Sequence, residues 1–195
     1  MKRCDWAKGS YNEEYHDHEW GRPCHDDQKL FELLVLEGMQ AGLSWVTILK
    51  KRAAFQTAFD HFDIATVAGY DEAKQAQLLQ NSGIIRNRLK IQSAITNAEA
   101  VLRIQAEFGS LDAYLWGFVD GKPIVNSYSD QSEVPTHSPL SDRISKDMKK
   151  RGFRFVGTTI IYSYLEAIGI INDHMTWCDT YEPCKRETLS TEAIK

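Results

Sequence analysis

The stretch over residues 146–178 limits the fold most strongly, because a basic segment, a glycine and a long apolar segment follow one another there. Ile144 and Met148, at the start of the basic segment, stand four residues apart, which is the spacing of a buried helical stripe. Gly152 lies where that helix would end, and glycine enters the left-handed conformation of a C-cap without strain. The segment before Gly152 is therefore predicted to be a helix with one buried face.

A short hairpin over residues 153–157 and a second helix are predicted to follow the glycine. Thr158 or Thr159 can begin this helix, because a threonine hydroxyl at the cap position accepts from the first backbone amides. Backbone amides at a helix start are otherwise unpaired, and the helix dipole favours negative charge there. Two helices joined by a tight hairpin can therefore hold an anion such as phosphate.

The segment between Asp142 and Arg154 is rich in positive charge, although the whole chain has a net charge of −4. Its basic residues are Arg143, Lys146, Lys149, Lys150, Arg151 and Arg154. Only Asp142 and Asp147 oppose them. A charge run by itself is more often the solvated face of a helix. The predicted hairpin in the same place favours phosphate binding instead.

This segment resembles the helix-hairpin-helix motif of DNA glycosylases. The string Lys-Lys-Arg-Gly-Phe-Arg-Phe-Val-Gly-Thr-Thr-Ile-Ile-Tyr-Ser over residues 149–163 resembles the DNA-3-methyladenine glycosylase I family. The resemblance implies an all-α, two-lobed, helix-hairpin-helix glycosylase-like fold in which this motif holds the DNA backbone. The residues implied in that contact are Lys150, Arg151, Arg154, Val156, Gly157, Thr158 and Thr159.

Composition indicates a globular protein, since 43% of the 195 residues are hydrophobic and 11% are aromatic. The first residues contain no apolar run typical of a secretory signal. The longest apolar stretch, over residues 155–171, contains Glu166 and is too short to span a membrane. We therefore expect a cytoplasmic protein that does not bind membranes, in which the four cysteines are thiols or metal ligands before disulfides.

The rest of the chain predicts helices and no strand. Helices are expected from Asp26 or Asp27 to residue 36, over 45–59, 65–80 and 87–108, and from Ser138 or Ser141 onward, while residues 111–118 form a short aromatic stretch. Residues 1–27 are expected to form an ordered irregular arm, and residues 120–136 a long loop. We expect one all-α glycosylase domain over 1–184, with the helix-hairpin-helix at about 141–170 and a loose charged tail over 185–195.

His174 and Cys178 suggest a metal site, because residues four apart on a helix share one face. Cys4 and His16 could complete a Cys₂His₂ tetrahedron from the other end of the chain, although scattered pairs are more often ordinary buried residues. His18, Cys24 and Cys184 lie near these positions and could be mistaken for ligands. The family resemblance implies one structural Zn²⁺ at Cys4, His16, His174 and Cys178, joining segments 1–20 and 170–180.

A break between two helices is predicted over residues 37–45, where small residues surround a single carboxylate. On its own this stretch is more typical of an ordinary turn between helices with an exposed glutamate. The stretch resembles the family string Leu-Glu-Gly-x-Gln-Ala-Gly-Leu-Ser-Trp, and differs mainly at Met39. The resemblance implies that Glu37 is the catalytic residue of the base pocket and that Trp45 stacks on the base. It implies a DNA wedge made by Gln40, Gly42 and Leu43.

The string Tyr-His-Asp-His-Glu-Trp-Gly over residues 15–21 resembles the family pattern Tyr-His-Asp-x-Glu-Trp-Gly. This resemblance implies that Tyr15 forms a wall of the base pocket, with Trp20 either in the pocket or simply in the core. The family often has a further aromatic residue where this chain has Asn12. Tyr11 could replace that residue only after a local shift of the chain.

A second hairpin is possible over residues 82–91, where Arg86, Arg88 and Lys90 could meet phosphates. A turn between two core helices explains the same residues equally well.

Together these motifs predict a DNA-3-methyladenine glycosylase of type I. It is expected to flip 3-methyladenine out of double-stranded DNA, hydrolyse its N-glycosidic bond, and release the free base as a monomeric enzyme. No nucleophilic lysine is suggested near the pocket, so cleavage of the strand is not expected. Asp173 is left outside the catalytic residues because it adjoins His174.

Two other classes of protein remain open. One is a DNA-binding module without catalysis, which an excision assay on alkylated DNA would distinguish. The other is a structural zinc protein that acts through protein partners and has no salt-dependent affinity for DNA.

Overall fold

Helices form most of the computed structural model, which describes residues 1–190. They are α1 Ser10–His18, α2 Asp27–Gln40, α3 Trp45–Ala58, α4 Ile64–Ala68, α5 Glu72–Gln80, α6 Arg88–Phe108, α7 Leu111–Gly117, α8 Pro139–Lys150, α9 Thr158–Ala167 and α10 Tyr181–Ser190. Two 3₁₀ turns, Asp60–Phe62 and Gln131–Glu133, complete the helical elements of this part of the chain. The predicted mostly helical fold is confirmed.

Side chains of the expected types cap several of these helices. Asp26 accepts from the backbone amide of Lys29 at the start of α2, and Ser138 accepts from Ser141 at the start of α8. Asp71 caps α5 in the same way, so the single helix predicted over 65–80 is two helices separated by a short turn. Gly152 follows the last turn of α8 with φ +93°, as its predicted C-cap role requires.

Two short strands correct the prediction that the chain contains none. β1 Ile124–Val125 pairs in parallel with β2 Ile171–Asn172, in the register Ile124 to Ile171 and Val125 to Asn172. Each strand has two residues, which is too few for alternation of apolar and polar residues to appear in the sequence. The pairing fixes the loop expected over 120–136 against the segment that follows α9.

The N-terminal arm is also more regular than predicted, because α1 occupies part of the segment expected to be irregular. Its buried residues are Tyr15, His16 and Asp17, which are consecutive and give no helical period. At the other end of the chain, α10 extends to Ser190, into the segment for which a loose tail is predicted. Residues 191–195 of that predicted tail lie outside the described residues.

The core is centred on α2, in which residues 30–39 are all buried. This helix packs against α3, α6, α7 and α9, while α8 packs on α9. Burial on every side explains why α2 shows no simple amphipathic stripe. It also places Glu37 inside the molecule. No helix within residues 1–190 has both the length and the apolar character to cross a membrane.

Candidate active site and Cys–His cluster

A cleft of about 410 Å³ lies between α1, α2, α3, α9 and the segment over 131–136. Aromatic rings and carboxyl groups share its wall. The rings are Trp6, Tyr15, Trp20 and Trp45, and the carboxyl groups are Glu37 and Glu166. A concave, largely apolar site with a few polar groups is typical of a pocket for a small ring system. A slightly larger surface pocket beside α1 shares Tyr15 with this cleft, but it lacks the two carboxyl groups.

The aromatic side chains of the cleft contact one another. The ring centroids of Tyr15 and Trp45 are 5.3 Å apart, and those of Trp6 and Trp20 are 4.9 Å apart in an edge-on arrangement. Trp20 also lies 4.5 Å from the ring of His174. Trp20 therefore both lines the cleft and connects it to the His174 region.

Two polar atoms on this wall are buried without a partner in the described part of the protein. They are the hydroxyl oxygen of Tyr15 and the Nε1 atom of Trp45. Native proteins rarely leave such atoms unpaired, and an unpaired atom in a cleft suggests that a ligand supplies the missing hydrogen bond. Burial also raises the pKa of the Tyr15 hydroxyl, so this group stays protonated and can donate.

Glu37 lies on α2, one turn before its end, and its side chain is buried. The predicted break at residue 37 is therefore wrong, because the helix continues to Gln40 and only residues 41–44 leave it. No hydrogen bond or ion pair reaches the Glu37 carboxyl group from residues 1–190. Burial raises the pKa of Glu37 to about 8, so the protein by itself holds this group largely neutral at pH 7.

Glu166 is a second acidic residue of the cleft, and it was not predicted from the sequence as a site residue. Burial raises its pKa well above the ordinary value, and the nearby carboxyl groups of Asp173 and Glu37 raise it further. It is the only charged residue in the apolar stretch over 155–171, and this isolation is a signal in the sequence. A cation bound beside these two carboxyl groups would favour their ionised forms, so the cleft can offset a positive charge on a ligand.

Asp173 is buried behind the cleft and is not part of its wall. Its two oxygens accept from the Tyr162 hydroxyl at 2.6 Å and from Asn126 Nδ2 at 2.6 Å. Since Tyr162 lines the cleft, Asp173 holds part of the wall in place. This arrangement gives Asp173 a positioning role.

Cys4, His16, His174 and Cys178 come together as one buried cluster, with ligand atoms that all lie within 4.8 Å of one another. Cys178 Sγ is 3.5 Å from His16 Nε2 and 3.7 Å from His174 Nδ1, and Cys4 Sγ is 3.7 Å from His174 Nδ1. A tetrahedral zinc with ordinary bond lengths has ligand atoms about 3.4–3.8 Å apart. The four residues therefore fit a metal ion.

The surroundings of the two histidines orient them toward the cluster. His16 turns its other nitrogen, Nδ1, to Asp17 Oδ1 at 2.9 Å, and His174 turns Nε2 to the carbonyl oxygen of Trp20 at 3.0 Å. Arg3 in turn holds Asp17 through two nitrogens. Such outer contacts fix the ring orientation of metal-binding histidines. His174 and Cys178 lie in a turn and not on the helix that their spacing predicted.

The residues near these four do not join the cluster. Cys24 is half-buried and lies with exposed His18 in a surface pocket, and Cys184 is buried in α10 outside the four-residue group.

The segment between α8 and α9 is held from behind by side chains that sequence reasoning did not identify. Asn97 of α6 accepts from the backbone amide of Arg154 at 2.8 Å and donates to its carbonyl at 3.0 Å. Ser145 donates to the carbonyl of Val156 at 2.6 Å. Phe155 adopts φ +54°, which is unusual for a bulky residue. These contacts fix the segment in one conformation.

The start of α9 differs from the prediction, because its cap residue is Gly157 and neither threonine caps it. Thr158 instead directs its hydroxyl to Asp142, with Ser141 also within hydrogen-bond distance. Thr159 is exposed at the edge of the cleft. Because Gly157 has no side chain, the cap residue itself leaves the first amides of α9 open to a ligand.

The basic residues beside this turn are not equivalent. Lys150 and Arg154 are exposed, and neither forms an ion pair with another described residue. Arg151 pairs with Glu107 and Asp147, both at 2.7 Å, and its guanidinium lies 4.8 Å from the Phe108 ring. Of the three basic residues expected to contact the DNA backbone, Arg151 is thus already engaged within the protein.

The loop between α2 and α3 presents Leu43, whose side chain is 39% exposed. Gly42 precedes it with φ +78°, a conformation that glycine adopts without strain. Gln40 lines the cleft and donates from Nε2 to the Leu43 carbonyl at 2.8 Å. Of the predicted wedge residues, Gln40 therefore ends α2 at the cleft, and Gly42 and Leu43 lie in the short loop that follows.

The possible second hairpin over 82–91 is a turn before α6, and its three basic residues divide into two kinds. Arg86 and Arg88 are exposed, but Lys90 is buried and donates to the carbonyl oxygens of Met39 and Ala41. The suggestion that Lys90 meets phosphates is wrong, because its ammonium group faces the protein interior.

Comparison with known proteins now gives the family. A model of the methyladenine glycosylase family matches residues 6–181 of the chain. The chain belongs to the methyladenine glycosylase family. One curated relative is DNA-3-methyladenine glycosylase 1 of Escherichia coli (strain K12), which is 46% identical over 182 residues, covering 93% of this chain and 97% of the relative.

Solved structures agree with this assignment. A crystal structure of 3-methyladenine DNA glycosylase I superposes with a TM-score of 0.90 at 47% identity, covering 92% of this chain and all of that one. A tyrosine-to-phenylalanine variant of such an enzyme, solved in complex with 3-methyladenine, also reaches 0.90 at 35% identity, covering 93% and 98%. The methyladenine glycosylase fold thus extends over almost the whole chain.

Within this methyladenine glycosylase, the predicted site residues form three groups. Tyr15, Trp20, Glu37 and Trp45 line one cleft, with Gln40 at the start of the adjoining loop. Cys4, His16, His174 and Cys178 form the buried cluster. The residues expected to bind the DNA backbone lie on the α8–α9 turn, with only Thr159 reaching the cleft. Tyr11 and Asn12 are absent from the cleft wall, where Trp6 supplies the third tryptophan.

Proposed function

We propose that this chain is a monofunctional glycosylase that flips 3-methyladenine out of duplex DNA and hydrolyses its N-glycosidic bond, leaving an abasic site. The observation that carries the proposal is the cleft itself. It presents an aromatic wall with two unpaired polar atoms, one buried and one half-buried carboxyl group, and an exposed apolar loop at its mouth. Membership of the methyladenine glycosylase family supports the same activity.

Access to the base requires extrusion from the helix, at a cost of roughly a few kcal/mol. Leu43 is placed to fill the gap, since it is the exposed apolar residue of a loop that begins at the cleft. The first amides of α9, with Lys150 and Arg154, are placed to hold phosphates on the same molecule. The DNA is thus held by its backbone while the base enters the cleft.

Selection of the base follows from charge. Methylation at a ring nitrogen such as N3 makes the nucleoside cationic and weakens its bond to the sugar. A cation over an aromatic face gains about 0.5–2 kcal/mol, and Tyr15 and Trp45 provide such faces. Normal adenine is neutral, so it gains less from the same wall.

Glu37 responds to that charge. Its carboxyl group is largely neutral before the base arrives, and a cation beside it lowers its pKa and favours the carboxylate. The carboxylate can then accept from the exocyclic amine of the base while it offsets the positive charge. Glu37 thus releases its proton to solvent when the charged base arrives.

Hydrolysis by water is proposed in preference to attack by a lysine, because none of the described lysine side chains lines the cleft. Breakage of the activated bond leaves the free base in the cleft. Without a covalent link to an amine, the DNA strand stays intact at the abasic site.

We further propose that Cys4, His16, His174 and Cys178 hold one zinc ion. The donor set, the burial and the spacing of the ligand atoms support it. Four protein ligands leave no position for water, so the ion would stabilise the fold and take no part in the chemistry.

The test of the proposed activity is single-turnover excision from a duplex that contains one 3-methyladenine, beside an undamaged duplex. Glu37→Gln is expected to reduce excision by about 10²-fold or more, because it removes charge stabilisation in the transition state, while duplex affinity stays unchanged. Unchanged excision by this variant would remove Glu37 from the reaction. No excision by the unaltered protein would overturn the proposed function, and DNA affinity alone would then indicate a binding module.

A further inference from the structure

Lys90 is the buried member of an otherwise exposed basic turn. Its side chain is only 7% exposed, although residues 86–89 immediately before it are all exposed. Its ammonium group donates to the carbonyl oxygen of Met39 at 2.8 Å and to that of Ala41 at 2.7 Å. Lysine is seldom buried unless it is paired, so these two contacts explain its position.

The two carbonyl groups lie beside the cleft, where α2 ends and the loop that carries Leu43 begins. Met39 and Ala41 stand on either side of Gln40, which lines the cleft and also bonds to the backbone of Leu43. Carbonyl groups in the last turn of a helix lack partners within the helix, and a positive charge there is favourable. Lys90 therefore supplies hydrogen bonds to carbonyl groups at the end of α2, and it sets the direction in which the chain leaves this helix.

The loop that follows has few other contacts to hold its shape. These contacts are local: the Gln40 side chain donates to the Leu43 carbonyl, the backbone amide of Leu43 donates to the Gln40 carbonyl at 2.6 Å, and Ser44 bonds to Thr47. A side chain added at Gly42 would have open space on all sides. The ammonium group of Lys90, anchored on the long helix α6, thus holds the start of this loop from another element of the fold.

We propose that Lys90 is a positioning residue that holds the loop over 41–44, and with it Leu43, in the orientation needed to enter the DNA duplex. This inference rests on the proposed function. Lys90 touches neither the cleft nor the reacting bond, so it acts through the loop. It is therefore expected to affect extrusion of the base from the duplex and not recognition of the base itself.

Lys51 offers a matched control in the same chain. Its ammonium group also donates to two carbonyl oxygens, those of Ser82 at 3.0 Å and Gly83 at 3.3 Å, on a turn that is not part of the cleft wall. Lys90→Met and Lys51→Met each remove an ammonium group that donates to two carbonyl oxygens, and each keeps an unbranched side chain. Lys90→Met is expected to lower single-turnover excision of 3-methyladenine from duplex DNA about 10–100-fold, and Lys51→Met to change it less than about twofold.

The decisive comparison combines Lys90→Met with Leu43→Ala. If Lys90 acts only by holding Leu43, its substitution adds little further loss once Leu43 is absent. The affinity for free 3-methyladenine is expected to stay within about twofold of the unaltered protein in both backgrounds. An equal loss of excision with and without Leu43, or no loss at all, would overturn the proposal, because Lys90 would then have a general structural role or none.

Amide hydrogen exchange gives a measurement that does not depend on activity. Lys90→Met is expected to speed exchange at residues 41–44 in the free protein, and unchanged exchange there would overturn the loop contact. Should Lys90→Met fail to fold, Lys90→Gln, which keeps a hydrogen-bond donor, replaces it in the same assays. An unaltered protein that does not excise 3-methyladenine would refute the proposed function, while the exchange data would still decide whether Lys90 holds the loop.

Discussion

Single residues of the cleft carry polar groups that the protein leaves unpaired. Tyr15 and Trp45 each bury a donor without an acceptor among residues 1–190, and Glu37 is buried without a partner. Each such group costs about 1–3 kcal/mol of stability. These unpaired groups lower the stability of the free protein, as is typical of a ligand-binding site. A substitution that removes one of them should therefore stabilise the fold.

Glu37→Gln is expected to stabilise the protein more at pH 8.5 than at pH 5. The unfolded chain releases the Glu37 proton near the ordinary value of 4.5, while the folded protein keeps it until about pH 8. Folded-state stability is thus lost as pH rises across this window, and glutamine removes the loss. The variant's advantage in unfolding free energy should grow by about 2–4 kcal/mol over the window.

Denaturant unfolding at both pH values measures this difference. The exposed residue Glu99 on α6 supplies the control, since Glu99→Gln should show the same small effect at each pH. An advantage of Glu37→Gln that is equal at pH 5 and pH 8.5 would mean that Glu37 is not held neutral in the fold.

Leu43→Ala tests the proposed insertion of the Leu43 side chain into the duplex. A leucine inserted between bases buries apolar surface worth about 1.5–3 kcal/mol, most of which alanine cannot bury, so excision from duplex DNA should fall about 10–100-fold. Affinity for free 3-methyladenine should not change. Leu102 on α6 has the same exposed fraction, 39%, and Leu102→Ala should leave both quantities unaltered. Equal losses for duplex excision and for free-base affinity would refute the wedge role of Leu43.

Motifs in the sequence predicted which residues line the cleft, but they did not predict the protonation states of the carboxyl groups in it. The sequence predicted the place of Glu37 in the cleft, whereas its raised pKa follows from burial between helices that only the fold reveals. Glu166 was missed for the same reason, because its position in the same cleft as Glu37 depends on how α9 packs against α2.

Elements around the cleft are organised by α6, which contacts both surfaces proposed to meet DNA. Asn97 clamps the backbone of Arg154 in the α8–α9 turn, and Lys90 holds the end of α2. The 21-residue helix thus joins the proposed phosphate-binding surface to the proposed wedge loop. Caps and apolar spacing predicted helices α2, α3 and α6, but they missed α1 and merged α4 with α5. The clamps were not, because Asn97 and Lys90 look like ordinary polar residues of an amphipathic helix.

The two exposed basic residues of the α8–α9 turn should account for more DNA affinity than Arg151. Lys150→Glu combined with Arg154→Glu is expected to weaken binding of lesion and undamaged duplexes about equally. The slope of log affinity against log salt should become shallower by about one for each phosphate that the double variant no longer binds. Titrations at several salt concentrations measure both effects.

Arg151→Glu is expected to act mainly on stability, because it places a carboxylate beside Glu107 and Asp147 in place of their cationic partner. A lowered Tm with an unchanged salt slope is the expected result. If Arg151→Glu reduced the salt slope as much as the double variant, Arg151 would leave its partners to bind DNA. If only lesion binding suffered in the double variant, Lys150 and Arg154 would belong to the base site.

The molecule as a whole is closed by contacts between its two ends. Cys4 and His16 meet His174 and Cys178 in the buried cluster, and β1 pairs with β2. The aromatic wall of the cleft packs against the buried cluster, since Trp20 contacts both His16 and His174. Such long-range contacts cannot be derived from spacing over more than 150 residues. Only the family resemblance, and not the local pattern, predicted the four residues together.

Removal of the proposed zinc ion is therefore expected to destabilise the protein and to loosen the cleft. Binding energy at a structural site is folding energy, so chelation should lower Tm by about 10 °C or more, which for a domain of this size corresponds to several kcal/mol. Cys178→Ser should reproduce the loss without a chelator. Cys24→Ser, at a half-buried thiol outside the cluster, should keep both the metal and the response to chelation.

Metal analysis of protein purified without added metal, together with these melting curves, tests whether the cluster holds zinc. Near-stoichiometric zinc in the unaltered protein and in Cys24→Ser, and its absence from Cys178→Ser, is the expected pattern. Because Trp20 lies between the cluster and the cleft, metal loss should also weaken binding of free 3-methyladenine at temperatures where the chain is still folded. Protein without zinc that melts at the same temperature with and without chelator would show that the four side chains pack as ordinary core residues.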